Sequence, residues 1–298
     1  MLKMKKLNIM KNTKLYFFAH HYWDAVPVLW GLIHFAYLLL MLTAFNYLPW
    51  WANALTGSFY AFSISWNINS VSHNFIHNAY FKASSLNHCF SFLESITLGF
   101  SQRMYEHVHR QHHIGNNDRI GDDGNTVDWI SFYQHGVNGN PESALKYALL
   151  SFFRDDPKRI TQGIRRLNPL LAKFAIFELV FVFVMIGILF LINWKLGLFF
   201  VGFHYLGHSL TAMNGYYEHF GANPDKPIAW GVSCYNTLFN WLWLNNGYHA
   251  EHHFRPKYHW TRMRELHVQI ADKQQAEGVR VIAWPHQFGF LANSKGKC

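Results

Sequence analysis

Four stretches of this 298-residue chain stay apolar for the length that a helix needs to cross a lipid bilayer. A hydrocarbon layer of ~30 Å requires roughly 20 mostly apolar residues in helical form. The stretches lie near residues 26–48, 51–71, 170–194 and 197–212, and the last reaches full length only if it continues to His219. They predict an all-α integral membrane protein whose four transmembrane helices, near 26–48, 51–77, 170–194 and 197–219, form two hairpins.

The whole chain, residues 1–298, is expected to form one domain around these hairpins. The other segments are a basic tail at 1–25, a polar segment at 78–169 and a second polar segment at 220–298. Two shorter apolar segments, 89–100 and 228–244, look too short or too interrupted to cross. They predict helices that lie in the membrane interface or pack against the bundle.

The basic residues are distributed unevenly about the four stretches. Twenty-four of the 26 Lys and Arg lie in the tail and the two polar segments, and the connections on the opposite side hold only Lys195. Loops rich in Lys and Arg stay in the cytoplasm. We therefore expect both termini and both polar segments to be cytoplasmic.

The net charge of +9 falls on this predicted cytoplasmic face. Contact with anionic lipid headgroups accounts for such a charge without any further function. Binding of an acidic redox partner is the more specific alternative explanation. Nucleic acid is not expected, because no basic module with interleaved aromatic residues stands apart from the membrane. No cleavable secretory signal is expected either, because the basic start leads into a full-length apolar stretch.

Twenty of the residues are histidine, and eight of these form three spaced clusters. The pattern H-x-x-x-H occurs once, and the pattern H-x-x-H-H occurs twice. The clusters are His73 and His77; His109, His112 and His113; and His249, His252 and His253. Residues three or four apart lie on one face of a helix, so we expect each cluster to direct its imidazoles at one point.

This number of histidines predicts a pair of metal ions. Neutral imidazole is a common ligand of first-row transition metals, and eight convergent imidazoles exceed what one tetrahedral zinc can use. The three cysteines, Cys89, Cys234 and Cys298, are scattered and form no C-x-x-C motif. A disulfide framework and a cysteine-ligated iron centre are therefore not expected.

The lengths of two apolar stretches place this metal site just outside the membrane. From Trp51 to His77 a helix would extend roughly 40 Å, and from Leu196 to His219 roughly 36 Å. Both lengths exceed the hydrocarbon thickness, so each helix can project into the cytoplasm. His77 and His219 would then meet the polar segments above a cavity between the helices.

The three motifs resemble those of the membrane di-iron superfamily of fatty acid desaturases, fatty acid hydroxylases and alkane hydroxylases. They read His73-Asn-Phe-Ile-His77, His109-Arg-Gln-His112-His113 and His249-Ala-Glu-His252-His253. Motif order and intervening lengths agree over the whole membrane domain, and the tail with Pro256, His259 and Trp260 looks like desaturase-type sequence. The resemblance implies two iron ions held by these eight histidines and His219.

The segment around His219 reads Asn214-Gly-Tyr-Tyr-Glu-His219-Phe-Gly. It is similar to the N-Y-x-E-H-Y-G element of the alkane hydroxylases, with Gly215 at the position expected for Asn. The resemblance makes Asn214 a candidate for the water-linked outer ligand seen in desaturases. Glu106-His107 is also similar to the E-H start of the alkane hydroxylase motif, but His107 lies off the helical face of His109 and is not expected to bind metal.

Carboxylates near the clusters are expected to orient ligands, because a ligating imidazole usually donates its other N–H to an oxygen. The candidates are Glu106, Glu218 and Glu251, with Asp122, Asp123 and Asp128 as further neighbours. His204 and His208 lie too far from His219 along the helix to share its site. We expect them to line a substrate cavity, and a role in helix–helix packing is the open alternative. Packing or surface roles are expected for His20, His21, His34, His88, His135, His259, His267 and His286.

The resemblance implies O2-dependent oxidation of a fatty acyl chain, with desaturation as the predicted reaction. Hydroxylation of an alkyl or acyl chain and oxidative decarboxylation to a terminal alkene stay open. The chain has neither the H-P-G-G segment of a fused cytochrome b5 nor rubredoxin-like cysteine pairs. A separate electron donor is therefore expected, either ferredoxin, rubredoxin or cytochrome b5.

Two other functions were weighed against this one. A metal transporter would need ionisable ligands near the middle of the membrane, where only His34, His204 and His208 qualify. A zinc protease would need a glutamate as the second residue of H-E-x-x-H, and that position holds Asn74. The transporter stays an alternative, and the protease is excluded.

Overall fold

The computed structural model describes residues 17–292, which form helices and no strand longer than an isolated bridge. Most of the predicted basic tail and Cys298 lie outside these residues. The α-helices that precede the second polar segment are α1 (Ala25–Ala44), α2 (Trp50–Asn67), α3 (His73–His77), α4 (Ser84–Leu98), α5 (Gln102–Gly115), α6 (Ala144–Leu150), α7 (Pro157–Leu167), α8 (Pro169–Ile192) and α9 (Trp194–His219). Three more follow in the second polar segment, namely α10 (Thr237–Leu242), α11 (His249–Phe254) and α12 (Met263–Ala276).

The second apolar stretch forms one continuous helical rod that ends at the first histidine motif. A π-helical turn, Ile68–Ser72, joins α2 directly to α3. A π turn inserts an extra residue and changes which face the following side chains occupy. The direction in which His73 and His77 point therefore depends on this turn.

Helices α2 and α9 pack along each other at the centre of the bundle. Gly57 of α2 allows this approach, because a Cβ there would lie 2.4 Å from the ring of Phe203. Tyr60, Ile64 and Phe200 are fully buried in the interface. Close van der Waals packing of such side chains holds the two helices together and so fixes His219 relative to α3.

Helices α4 and α5 form a hairpin that enters the bundle and returns. Gly99 makes the turn in the left-handed region, with φ of 71°. The carboxylate of Glu178 in α8 accepts hydrogen bonds from the hydroxyls of Ser91 and Ser101 and from the N–H of Arg103. The predicted segment 89–100 therefore packs against the bundle, and the hairpin carries the second histidine motif on its returning helix.

Within residues 17–292, two segments are long and apolar enough to cross a membrane by length and composition, Tyr22–Ala44 and Pro169–Ile192. The expectation of four such helices is corrected to two. The helices around Asn67 and Asn214 form as expected, but polar side chains face the bundle interior and lower their mean hydropathy. These side chains include Ser63, Ser65, Asn67, His204, Ser209 and Asn214, all buried.

Candidate metal centre

The nine histidines of the three motifs and α9 converge in two groups. In each group the ligand nitrogens lie within 4.8 Å of one another. The first group contains His73, His77, His109, His113 and His252. The second contains His112, His219, His249 and His253. Seven of the nine are buried, and His77 and His113 are partly exposed.

Each H-x-x-H-H motif divides its histidines between the two groups. The expectation that each cluster serves one point holds for His73 and His77 and is wrong for these two motifs. Residues i and i+4 lie close to one helix direction, whereas i+3 and i+4 differ by about 100°. His109 and His113 therefore serve the first group and His112 the second. In α11 the assignment is reversed, since His249 and His253 serve the second group and His252 the first.

The Nε2 atoms of four histidines in the first group form a closed ring. Successive distances are 3.1 Å from His73 to His109, 3.0 Å to His113, 3.1 Å to His252 and 3.0 Å back to His73. The Nε2 of His77 lies 2.9 Å from that of His109. Nitrogens about 2.1 Å from one ion lie about 3.0 Å apart at right angles and about 3.4 Å apart in a tetrahedron. The spacing fits a metal with five or six ligands.

The second group has fewer histidines and the same close spacing. The Nε2 of His219 lies 2.9 Å from that of His112 and 3.0 Å from that of His249. The ring of His253 is centred 4.5 Å from the ring of His219. Four nitrogens leave room for further ligands in a five- or six-ligand shell.

Oxygen acceptors on the outer side of the rings fix the tautomer of four ligands. An Nδ1–H that donates outward leaves the Nε2 lone pair free to face inward. The pairs are His112 with Asp128 Oδ2 at 2.6 Å, His73 with Asn246 Oδ1 at 3.0 Å, His219 with the Trp230 carbonyl at 2.8 Å and His253 with Asn116 Oδ1 at 2.7 Å. Inward lone pairs about 3 Å apart repel one another unless a cation lies between them. The residues therefore fit a metal.

Burial favours the neutral form of His109, His252 and His253. Loss of solvent, followed by the proximity of other histidines, holds the pKa values of His109, His252 and His253 well below their usual range. The pKa of Asp128 is also lowered: burial alone would raise it, but contact with His112 and two backbone N–H groups outweighs burial. A neutral histidine is the form that binds a metal.

Of the predicted outer residues, Asn214 and Glu218 lie beside the second group. Glu218 Oε1 accepts hydrogen bonds from the amides of Asn214, at 2.9 Å, and Asn246, at 2.6 Å. The same oxygen lies 3.8 Å from His249 Nδ1. Because Asn246 also contacts His73, this chain of hydrogen bonds links the two groups.

Of the other four predicted carboxylates, Asp122 and Asp123 are exposed, and Glu251 and Glu106 bind neighbours of the motifs. Glu251 accepts from the hydroxyls of Ser233 and Tyr235 and from His267, and so anchors α11. Glu106 pairs with Arg103 at 2.8 Å, and within residues 17–292 no hydrogen bond joins it to a motif histidine.

Sequence reasoning missed Asn116, Asn246 and the Trp230 carbonyl. Each of the two asparagines lies three residues beyond the end of an H-x-x-H-H motif, Asn116 after His113 and Asn246 before His249. An amide one turn beyond a ligand motif is a weak signal that could have suggested them. A backbone carbonyl from a distant loop gives no sequence signal.

A cavity of about 190 Å³ leads from both groups along one face of α9. It is bounded by α5, α6 and α9, and its wall on α9 includes His208, Ala212, Gly215 and Glu218. His204 and His208 both donate from Nε2 to the Leu98 carbonyl, at 3.1 and 2.9 Å. Among the described residues, His208 lines this cavity and His204 does not.

Within residues 17–292, no other histidine belongs to either group. His107 packs against Trp129 on the opposite side of α5. His34 is hydrogen-bonded to Ser63 and Asn67 inside the bundle. His286, for which a packing or surface role was expected, is fully buried. Its Nδ1 lies 3.9 Å from Oε1 of Glu218.

Among known families, the model described as fatty acid desaturase matches residues 48–285, which include both groups. Neither the curated proteins nor the solved structures include a match to this chain.

Proposed function

The chain belongs to the fatty acid desaturase family and is thus an oxidoreductase of fatty acyl chains, and we propose that it is a membrane di-iron enzyme that introduces a double bond. The two histidine groups carry this proposal. Nine inward imidazoles divided five and four are a donor set for two ions, and Nε2 spacings near 3 Å suit more than four ligands per ion. Apolar helices support membrane attachment.

The residues that would hold the irons are the five histidines of the first group and the four of the second. When bound, iron would supply the O2-dependent oxidation of an unactivated C–H bond, which no side chain can perform alone. Zinc has no redox chemistry and would not serve.

The protein's own contribution is to orient ligands and to enclose the acyl chain. Asp128, Asn116 and Asn246 hold imidazole rings by their Nδ1 atoms. The cavity along α9 would align an extended chain so that one part of it lies beside both groups. Enclosure between α5 and α9 would exclude water from the reacting carbons.

The proposed reaction balances without any residue being consumed. Two adjacent methylene groups each lose one hydrogen, and a double bond forms between their carbons. One O2 accepts these two hydrogens together with two electrons from a donor protein and two protons from solvent, giving two waters. The donor would be a separate small redox protein, either ferredoxin, rubredoxin or cytochrome b5.

We propose that the histidine groups lie on the cytoplasmic side of the membrane. Helices α1 and α8 expose apolar side chains along their length, among them Leu40, Phe183 and Leu191, and such surfaces suit lipid. Helices α2 and α9 would cross beside them with their polar faces inside. The excess of Lys and Arg in the segments that carry the motifs supports this orientation.

A metal transporter receives less support. His34, His204 and His208, the histidines expected near mid-membrane, are each hydrogen-bonded to protein groups within the bundle. The two histidine groups lie instead at the ends of the helices, away from the middle of the membrane where a transporter needs its ligands.

The test is product analysis in membranes that contain the protein, a reductase system and 18O2. Desaturation predicts an acyl product two mass units lighter that carries no 18O. Hydroxylation would add 18O to the chain, and decarboxylation would release a terminal alkene. The matched control is His252→Ala, which should give no product, and formation of product by this variant would overturn the proposal.

A further inference from the structure

The cavity along α9 reaches the surface at one end. Among the lining residues within 17–292, only Phe152 and Asp155 are exposed, and both belong to the segment that joins α6 to α7. His208 lies beside them, with its ring 5.2 Å from that of Phe152. Since His208 precedes His219 by 11 residues, the opening is roughly 16 Å along the helix from the second group. We call Phe152, Asp155 and His208 the mouth.

Apart from metal ions at the two histidine groups, this cavity offers no cation of the protein to an anionic substrate. Within the described residues, its lining contains no Lys or Arg, and its carboxylates are Asp155 at the mouth and Glu218 near the metal groups. Arg154 is next to the mouth in sequence, but its guanidinium is engaged by Glu142 through two contacts of 2.7 Å. An acyl carboxylate held at the mouth would face Asp155 with no Lys or Arg of the cavity lining beside it.

The hydrogen-bond donors at and beside the mouth are already engaged by the protein, so the polar atoms left for a substrate are acceptors. The hydroxyl of Ser151, which also lines the cavity, donates to the Tyr147 carbonyl at 2.6 Å, and His208 donates to the Leu98 carbonyl. The surrounding chain desolvates the carboxyl of Asp155 and raises its pKa to about 6, although the residue is exposed at the mouth. It is therefore largely ionised at neutral pH and free to accept.

We propose that Asp155 is a specificity-determining residue that admits acyl chains whose polar end is uncharged and rejects free carboxylates. This inference rests on the proposed function for its substrate, an acyl chain in this cavity. Like charges brought together without a counterion are unfavourable, whereas an alcohol or amide N–H would be hydrogen-bonded by the carboxylate. The substrate is accordingly an alcohol, ester or amide of the acyl series.

The test measures binding in zinc-loaded protein, where oxidation cannot occur. The probes are a saturated fatty acid and the primary alcohol and methyl ester of the same chain length, at neutral to mildly alkaline pH. Wild-type protein should bind the alcohol and the ester about tenfold more tightly than the acid, and Asp155→Asn should abolish this preference.

The matched control is Asp156→Asn, which removes the same charge one residue away. Asp156 caps α7 by accepting from the N–H groups of Lys158 and Arg159, and asparagine caps equally well. This variant should keep the wild-type preference. Asp155→Glu, which retains the charge, should also keep the wild-type preference. It provides the test if the asparagine variant fails to fold.

Equal binding of acid, alcohol and ester by wild-type protein would overturn the inference, as would an unchanged preference in Asp155→Asn. Because binding is read without turnover, these outcomes are independent of the product analysis. If the binding preference depends on Asp155 but the protein oxidises no acyl chain, the proposed function is contradicted and the inferred selectivity of the mouth is supported.

Discussion

The Nδ1 of His112 lies 2.6 Å from Oδ2 of Asp128, and this carboxylate also accepts the backbone N–H groups of Asn117 and Ile130. The aspartate is fully buried. It therefore fixes the ring of a second-group ligand to the loop that follows α5, and it compensates part of the charge that a bound ion would bring.

Asp128→Asn tests this link. An amide can still contact Nδ1 but carries no charge and can present its N–H₂ to the ring, so we expect metal affinity to fall about 10- to 100-fold. Competition with a calibrated chelator measures the affinity. Asp123→Asn, in the exposed part of the same loop, is the control, and equal affinities in the two variants would contradict the role of Asp128.

Adjacent histidines of α11 should affect different ions. His252→Ala removes a first-group ligand and His253→Ala a second-group ligand. We expect each variant to retain about one iron per chain, with different Mössbauer parameters because the ligand sets differ. His88→Ala, outside both groups, should retain two. Identical spectra from the irons left in the two variants would refute the division of the motif.

Gly215 keeps the cavity open beside the metal groups. A Cβ there would find its nearest neighbour, Glu218 Oε2, at 4.0 Å, so a larger side chain would occupy space meant for substrate. Gly215→Val should weaken acyl-chain binding about tenfold, the equivalent of about 1.4 kcal/mol, and leave metal content unchanged.

The control for this substitution is Gly202→Val, on the same helix, where a Cβ meets no atom within 4 Å. It introduces the same β-branched residue without filling the cavity. If both variants bind the acyl chain as wild type does, the substrate does not pass Gly215.

Metal removal should destabilise the protein. Inward lone pairs about 3 Å apart repel one another once no cation lies between them, and a ligand present at 100 times its Kd stabilises the native state by about 2.7 kcal/mol. Thermal unfolding of iron-loaded and chelator-treated protein should therefore differ in Tm. Coincident transitions would show that the groups do not bind metal in the native state.

The helices were largely predictable because apolar length and polar breaks determine where they begin and end. The four long stretches became α1, the rod from α2 to α3, α8 and α9. Four transmembrane helices were expected and two of the described helices qualify by length and composition, because buried polar residues such as Asn67 and Asn214 lower the mean hydropathy of the other two. Tertiary packing of α2 against α9 accounts for these polar residues.

The histidines of the site were identified by spacing and by family resemblance, but their division was not. The π turn before His73 and the rotation of about 100° between His112 and His113 decide which group each joins. The outer acceptors Asn246 and Trp230 come from loops distant in sequence. Only the folded chain brings them to the ligands.

X-ray diffraction recorded at the iron absorption edge from iron-loaded crystals tests the central claim most directly. The account predicts two anomalous peaks per chain, one among the five Nε2 atoms of the first group and one among the four histidines of the second. A single peak, or peaks outside these groups, would contradict it.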